Sequence, residues 1–229
     1  MKKTAKLIAL AAVLFAGFGP VNANAEGFKI GADVVSSYVW RGVELDNSVN
    51  IQPALSYTFS NGLSISAWGS YGLNEDNGAR YKEVDLTVSV PVGPFTLTVT
   101  DYNADPANDN PDDGGVFDFR KDGSNTIEVS ASYSQDNIGL MAGVFVGGND
   151  YDNAVYCEAS YKFYDKDGYT AKAVLGVGSE DYYGNFNAAK SDKLALVNTG
   201  ISVAKDRFTA SAIYNPDLES SSLVFMASF

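Results

Sequence analysis

From Gly27 onward the chain alternates between apolar and polar residues, and no helical period of any length replaces that pattern. Phe28, Ile30, Ala32, Val34, Tyr38 and Trp40 share one parity, against Lys29, Gly31, Asp33, Ser37 and Arg41. Val49, Ile51, Leu55, Tyr57 and Phe59 alternate with Asn50, Gln52, Ser56 and Thr58. Leu63, Ile65, Ala67 and Tyr71 alternate with Ser64, Ser66 and Ser70. Val84, Leu86, Val88 and Val90 alternate with Glu83, Asp85, Thr87 and Ser89. Eight further runs lie near 94–102, 125–135, 137–147, 153–164, 168–178, 192–204, 207–214 and 220–229. The tenth and eleventh runs are the weakest, since either parity could face out. The pattern predicts 12 strands, or 10 if those two pair poorly.

The connections suggest how the strands are arranged. SNG, VGP, QDN, DKDG and KD read as tight hairpin turns at every second junction. Longer polar loops fill the other junctions, near 41–48, 74–82, 103–124, 147–153, 179–191 and 215–219. An even strand count with alternating short and long connections predicts an all-β, transmembrane, antiparallel up-and-down barrel. Its short turns and both termini would be periplasmic, and its longer loops extracellular. Phe28, Phe59, Phe95, Tyr133, Phe163, Tyr169, Phe208 and Phe229 all fall beside short turns or chain ends, which predicts one aromatic girdle. Trp40 and Tyr71 are expected to start the opposite one.

The competing fold is a soluble β-sandwich, whose strands also alternate. The polar parity here is mostly Ser, Thr and Gly, with Val35, Trp68, Met141 and Phe145 mixed in. That composition suits an enclosed lumen better than a face in bulk water. Pro53 interrupts the second strand and cannot donate to a ladder, so it is expected near the extracellular rim.

The first residues set the cellular context. Lys2, Lys3 and Lys6 precede an apolar run from Leu7 to Phe18, and small residues lead to Ala25. This reads as a cleaved secretory signal peptide over 1–25, too short to span a membrane as a helix. The remaining 26–229 is expected to be one outer-membrane barrel domain of a Gram-negative cell. Loss of the three lysines moves the formal charge from −12 to −15, which argues against a nucleic-acid partner. The single cysteine, Cys157, falls on the outward parity and excludes an intramolecular disulfide.

The stretch SSYVWRG at 36–42, with QPALSYTFSNGLSISAWGS at 52–70 and EVDLTVSV at 83–90, resembles the TorF-type family of small Gram-negative outer-membrane porins. The resemblance covers about the first third of the exported chain and implies a pore. It brings no site residues with it. By the same kind of resemblance, a terminal Phe229 behind Leu223, Phe225 and Ala227 looks like the signal read by barrel-assembly machinery. Outer-membrane lipid and lipopolysaccharide would be the other partners.

The chain contains no histidine, so a Ser–His hydrolase or a His-containing zinc site is excluded. Glu83 and Asp85 share a strand face, which leaves a paired-carboxylate hydrolase conceivable, with solvated lumen acids the plainer reading. We therefore expect no enzyme and no cofactor. Asp33, Glu83, Asp85, Glu128, Glu158, Lys162 and Lys172 are the candidate pore-lining charges. The acids cluster toward the extracellular end and would favour cations. Alternatively, each charge pairs with a neighbour and seals the barrel. Arg41 is expected at the extracellular rim, binding a loop carboxylate bidentately. Asp105, Asp109, Asp112, Asp113 and Asp118 crowd one loop and are weak candidates for Ca²⁺, with an acidic solvated loop the alternative. The expected function is a porin-like channel for small hydrophilic solutes with a mild cation preference. The alternative is a closed structural barrel whose acidic loops bind a partner or a divalent cation.

Overall fold

A computed structural model describes residues 26–75, 80–106, 123–148, 153–184 and 193–229. The predicted signal peptide lies outside the described residues. Among the described residues fourteen strands form: β1 Gly27–Val35, β2 Tyr38–Trp40, β3 Val43–Asp46, β4 Asn50–Thr58, β5 Ser64–Gly72, β6 Tyr81–Val92 and β7 Phe95–Pro106. They continue with β8 Asn125–Gln135, β9 Ile138–Gly148, β10 Val155–Lys166, β11 Tyr169–Ser179, β12 Leu194–Lys205, β13 Phe208–Asn215 and β14 Ser220–Ser228. A short helix, α1, spans Glu180–Tyr183.

Twelve of these strands close into an antiparallel barrel in the order β1-β14-β13-β12-β11-β10-β9-β8-β7-β6-β5-β4. Closure removes every sheet edge, which a wall in hydrocarbon requires. The seam pairs Asp33 with Ser228 and Val35 with Met226. Ala32 and Phe229 complete it by exchanging two backbone hydrogen bonds. Among the described residues no helix is long and apolar enough to cross a membrane, which says nothing against crossing with strands.

Local chemistry sets the short-turn end. Gly93 precedes Pro94 with φ 61°, and the pair Asp167–Gly168 has φ 55° and 78°. These left-handed values match the twist of two-residue hairpins, which explains turn residues rather than apolar ones there. The outward parity carries a continuous apolar surface, from Phe28 at 76% exposure to Leu223 at 61%. A band of that size marks a lipid-facing wall. The predicted girdle at the short-turn end forms: Phe28 stacks on Tyr57 at 4.7 Å, Tyr57 on Phe59 at 4.8 Å, and Phe95 on Tyr133 at 5.7 Å.

The two weak runs are barrel strands, and β12 shows why its alternation is poor. The register between β11 and β12 passes from Gly176↔Asn198 to Val177↔Leu196, so Val197 is an extra residue. Before it Leu194 and Leu196 face out, and after it Ile201 and Val203 do. A bulge changes the parity. Pro53 also has a local solution. Its β4 ladder is continuous toward β1 but skips Gln52 and Pro53 toward β5, where the proline has no N–H to give.

The first predicted strand, 28–40, is corrected. The wall strand β1 stops at Val35, and the expected polar loop near 41–48 is not a loop. Tyr38–Trp40 and Val43–Asp46 pair as a separate two-stranded sheet; the β2 side chains are buried among inward-facing wall residues, while β3 is partly buried, with Glu44 exposed. Trp40 is therefore inside the barrel and not in an outer girdle, whereas Tyr71 is 44% exposed on the outer face. The burial of three large residues, Tyr38, Val39 and Trp40, draws the segment inward.

Candidate functional site

The inner hairpin turns on two residues, Arg41 and Gly42, with φ 51° and 84°. Both left-handed values are what a type I′ hairpin turn requires. Glycine suits the second position for a further reason. A Cβ on Gly42 would sit 2.0 Å from the carbonyl oxygen of Val197, so the hairpin tip lies directly on the β12 bulge. Arginine at the first position is costly, and its side chain supplies the compensation.

Arg41 is 2% exposed and sits inside the lumen at the long-loop end, beside Tyr183 of α1. Its Nη1 donates to Glu128 Oε2 at 2.5 Å and to the Tyr183 hydroxyl at 2.7 Å, and its Nη2 donates to Glu128 Oε1 at 2.9 Å. The bidentate contact expected with a loop carboxylate is thus made with a wall carboxylate on β8. The guanidinium carbon lies 4.4 Å from the Trp40 ring centroid and 4.6 Å from that of Tyr156. Burial alone works against the guanidinium's charge, and the Glu128 carboxylate more than restores it, so its pKa stays well above the ordinary arginine value. A buried pair of this kind adds little net stability but fixes one geometry, because either charge left alone is expensive. On β9, Gly143 leaves the room: a Cβ there would meet the Glu128 carboxyl carbon at 2.7 Å.

Aromatic residues surround this contact. Trp40 meets Tyr102 and Tyr183 at 5.5 Å each, and Phe145 at 6.4 Å. Tyr38 meets Trp68 and Tyr81 at 5.5 Å each. The opposite face of β2 carries Val39, which packs with Val35, Ile213, Val224 and Met226. The hairpin is thus held from two sides of the lumen. Its return to the wall is fixed by Asp46, which accepts from the Ser48 backbone N–H at 2.9 Å and from Asn50 Nδ2 at 2.9 Å.

The candidate pore charges divide into groups. Glu83 and Asp85 point inward from β6, 7% and 5% exposed, and Glu83 Oε2 accepts from the Tyr81 hydroxyl at 2.9 Å. Glu158 Oε2 accepts from the Tyr156 hydroxyl at 2.8 Å and feels the positive charges of Lys172 and Arg41. Lys162 and Lys172 stand at the same register position on β10 and β11, and the Lys162 ammonium turns to Asp165 at 2.6 Å. Asp33 is half-buried at the seam, opposite Ser228 and Gln52. On the loop, Asp105 falls at the end of β7, opposite Lys82 in register, while Asp109, Asp112, Asp113 and Asp118 lie outside the described residues.

Below the hairpin, toward the short turns, the inner face is hydroxyl-lined. Thr87 and Thr100 share a hydrogen bond at 3.2 Å, and Ser89 and Thr98 share one at 2.9 Å. Thr58, Ser64 and Ser66 continue this lining on β4 and β5, and Thr209 and Ser211 on β13. The residues missed from the sequence are those that meet the hairpin: Tyr102, Tyr156 and Tyr183. One signal was present. Two short segments of strand-forming residues, Tyr38–Trp40 and 43–45, flank an Arg–Gly pair, which is a hairpin signature in miniature.

No family model matches the chain, and no curated protein matches it. Solved porin structures do match. A triple mutant of the Rh. blastica porin is 9% identical, with 89% of this chain and 100% of that chain covered and a TM-score of 0.35. Salmonella typhi OmpF in complex with daunomycin is 10% identical, with 91% and 99% covered and a TM-score of 0.32. Pseudomonas aeruginosa OccK5 (OpdH) is 14% identical, with 89% and 66% covered and a TM-score of 0.33. Values this low carry nothing about activity, and the closed barrel rests on its own strand pairing.

Proposed function

We propose that this protein is a porin-like outer-membrane channel that passes small hydrophilic solutes with a mild preference for cations. The observation that carries the reading is the inner face of the wall. A barrel packed only for stability can fill its interior with apolar side chains, as the hairpin half does here. The other half is lined by Thr58, Ser64, Ser66, Thr87 and Thr100 instead. Above them stand Glu83 and Asp85, which among the described residues have no Lys or Arg partner. A carboxylate reached by a polar path concentrates cations and repels anions. The apolar exterior and the aromatic girdle support an outer-membrane location, with the short turns periplasmic. The resemblance of residues 36–42, 52–70 and 83–90 to TorF-type porins points the same way. Lipopolysaccharide and barrel-assembly machinery are the partners that such a location implies.

Planar-bilayer recording of the purified barrel tests the reading. We expect small, steady conductance steps and a cation-selective reversal potential in a salt gradient. Conductance no greater than that of the bare bilayer would overturn it.

One observation favours a second reading. The β2–β3 hairpin is seated in the lumen with Arg41 and Trp40 buried. A hairpin that never moves would leave a closed structural barrel, and function would then pass to the acidic loop at 103–124 as a binding surface for a partner or a divalent cation. Binding that maps to that loop, together with a silent bilayer, would favour this reading.

A further inference from the structure

A carboxylate that forks onto a guanidinium, with aromatic rings on its faces, is a general way of binding a guanidinium ligand. In this lumen the guanidinium belongs to the chain itself, and the groups that receive it come from the wall and α1 rather than from the hairpin. Glu128 on β8 offers both carboxylate oxygens, Tyr183 on α1 its hydroxyl, and Tyr156 on β10 a ring face 4.6 Å from the guanidinium carbon. Each of these groups is held by partners outside the hairpin. Glu128 lies in the niche that Gly143 leaves on β9. The Tyr156 hydroxyl accepts from Asn198 Nδ2 at 2.9 Å and donates to Glu158 Oε2 at 2.8 Å. Asn215 Nδ2 donates to the Tyr183 carbonyl at 2.9 Å, and the Tyr156 and Tyr183 rings pack at 5.3 Å. The seat is thus preorganised, which lowers the cost of filling it.

The occupant is less comfortable than the seat. Arg41 is held at φ 51°, in the left-handed region that costs a non-glycine residue, and the tip behind it presses Gly42 onto the Val197 carbonyl. A free solute carries no such backbone strain. We propose that Glu128, Tyr156 and Tyr183 form a binding site for a solute with a guanidinium head, and that Arg41 is its tethered occupant. A solute of this class competes with Arg41, takes the forked contact with Glu128, and releases the hairpin tip. The fork selects guanidinium over a simple ammonium, which cannot make two parallel bonds to one carboxylate. Tethering gives Arg41 a high effective concentration, so the free solute acts at millimolar levels. The inference deepens the channel reading by naming a solute class, and it rests on that reading only for the solute's entry into the lumen.

Trp40 reports on the seat, since its ring lies 4.4 Å from the Arg41 guanidinium carbon. With Trp68→Phe as the parent, Trp40 is the sole tryptophan. Its emission is followed while the full exported chain, folded in detergent, is titrated with L-arginine, and with L-citrulline as the uncharged control of the same shape. We expect a saturable change with arginine and none with citrulline. Adding Arg41→Ala should tighten arginine binding at least about tenfold, because no tethered group then competes. Adding Glu128→Gln to that variant should abolish it. Equal affinity with and without Arg41 overturns the proposal, as does binding that survives Glu128→Gln. No response in the parent that keeps Arg41 also overturns it, because the tether then never yields. Should Arg41→Ala fail to assemble, Arg41→Lys keeps the charge without the fork and should show the same tightening. Emission does not depend on current. Arginine binding with a silent bilayer would therefore count against the channel and support the site, and conductance without arginine binding would do the reverse.

Discussion

The two halves of the lumen share the same twelve strands and differ in what fills them. Toward the long loops, the β2–β3 hairpin brings Tyr38, Trp40 and Arg41 against wall residues from β5 to β10 and from β12. That half is packed like a protein interior, with one buried ion pair at its centre. Toward the short turns, inward side chains such as Thr87, Ser89, Thr98 and Thr100 are small and hydroxylated, and they bond to one another across neighbouring strands. A hydroxyl lining can exchange partners with water at little cost, whereas a packed aromatic cluster cannot. The wall alone therefore does not decide whether this barrel is open. The segment that folds back into it fills one half.

That contrast predicts a steep gradient of mutational effects. The largest should be Trp40→Ala, which removes the central ring of the packed half and should cost about 3–5 kcal/mol, as buried aromatic truncations do. Reversible urea unfolding in lipid vesicles reads it. Arg41→Ala should cost a similar amount, about 3–5 kcal/mol, because it leaves Glu128 buried and uncompensated. Arg41→Ala combined with Glu128→Gln should recover much of that loss. A double variant no more stable than Arg41→Ala alone would mean that the pair is not the hairpin's anchor. Gly42→Ala comes next. Its Cβ would collide with the Val197 carbonyl and its backbone would be strained, for about 1–3 kcal/mol. The smallest effect should come from the other half: Thr87→Val breaks only the bond to Thr100 and should cost about 0.5–1.5 kcal/mol. If Thr87→Val proved as damaging as Trp40→Ala, the two halves would not differ as described.

Much of the wall was legible in the sequence because its rule is simple. Outward residues such as Ile65, Val88 and Leu223 must be apolar, and short turns need residues such as Asp167 and Gly168 that tolerate a left-handed backbone. The outward position of Cys157 follows from the same rule. The rule fails where a strand carries an extra residue. Val197 shifts the parity of β12, so its two halves read as contradictory signals. It fails again where a segment leaves the wall. Tyr38 and Trp40 keep the parity of Phe28 and Ile30, so alternation alone places them on the outside. Only the Arg41–Gly42 turn betrays the hairpin. The partners of Arg41 could not be read at all, since Glu128 lies 87 residues away and Tyr183 lies 142 away. Inward positions accept many residue types, so nothing in the local pattern tells a pore-lining Glu83 from an ion-paired Glu128.

The most direct measurement compares the two halves in one experiment: planar-bilayer conductance of the wild-type barrel against Arg41→Ser combined with Glu128→Gln. Removing the pair takes away the contact that fixes one hairpin geometry, so the hairpin should leave its seat more often and the hydroxyl-lined half should then set the pore. We predict small cation-selective steps for the wild type and clearly larger steps for the double variant, with selectivity weakened but not reversed. A folded double variant as silent as the bare bilayer would contradict the channel and leave a closed barrel in its place.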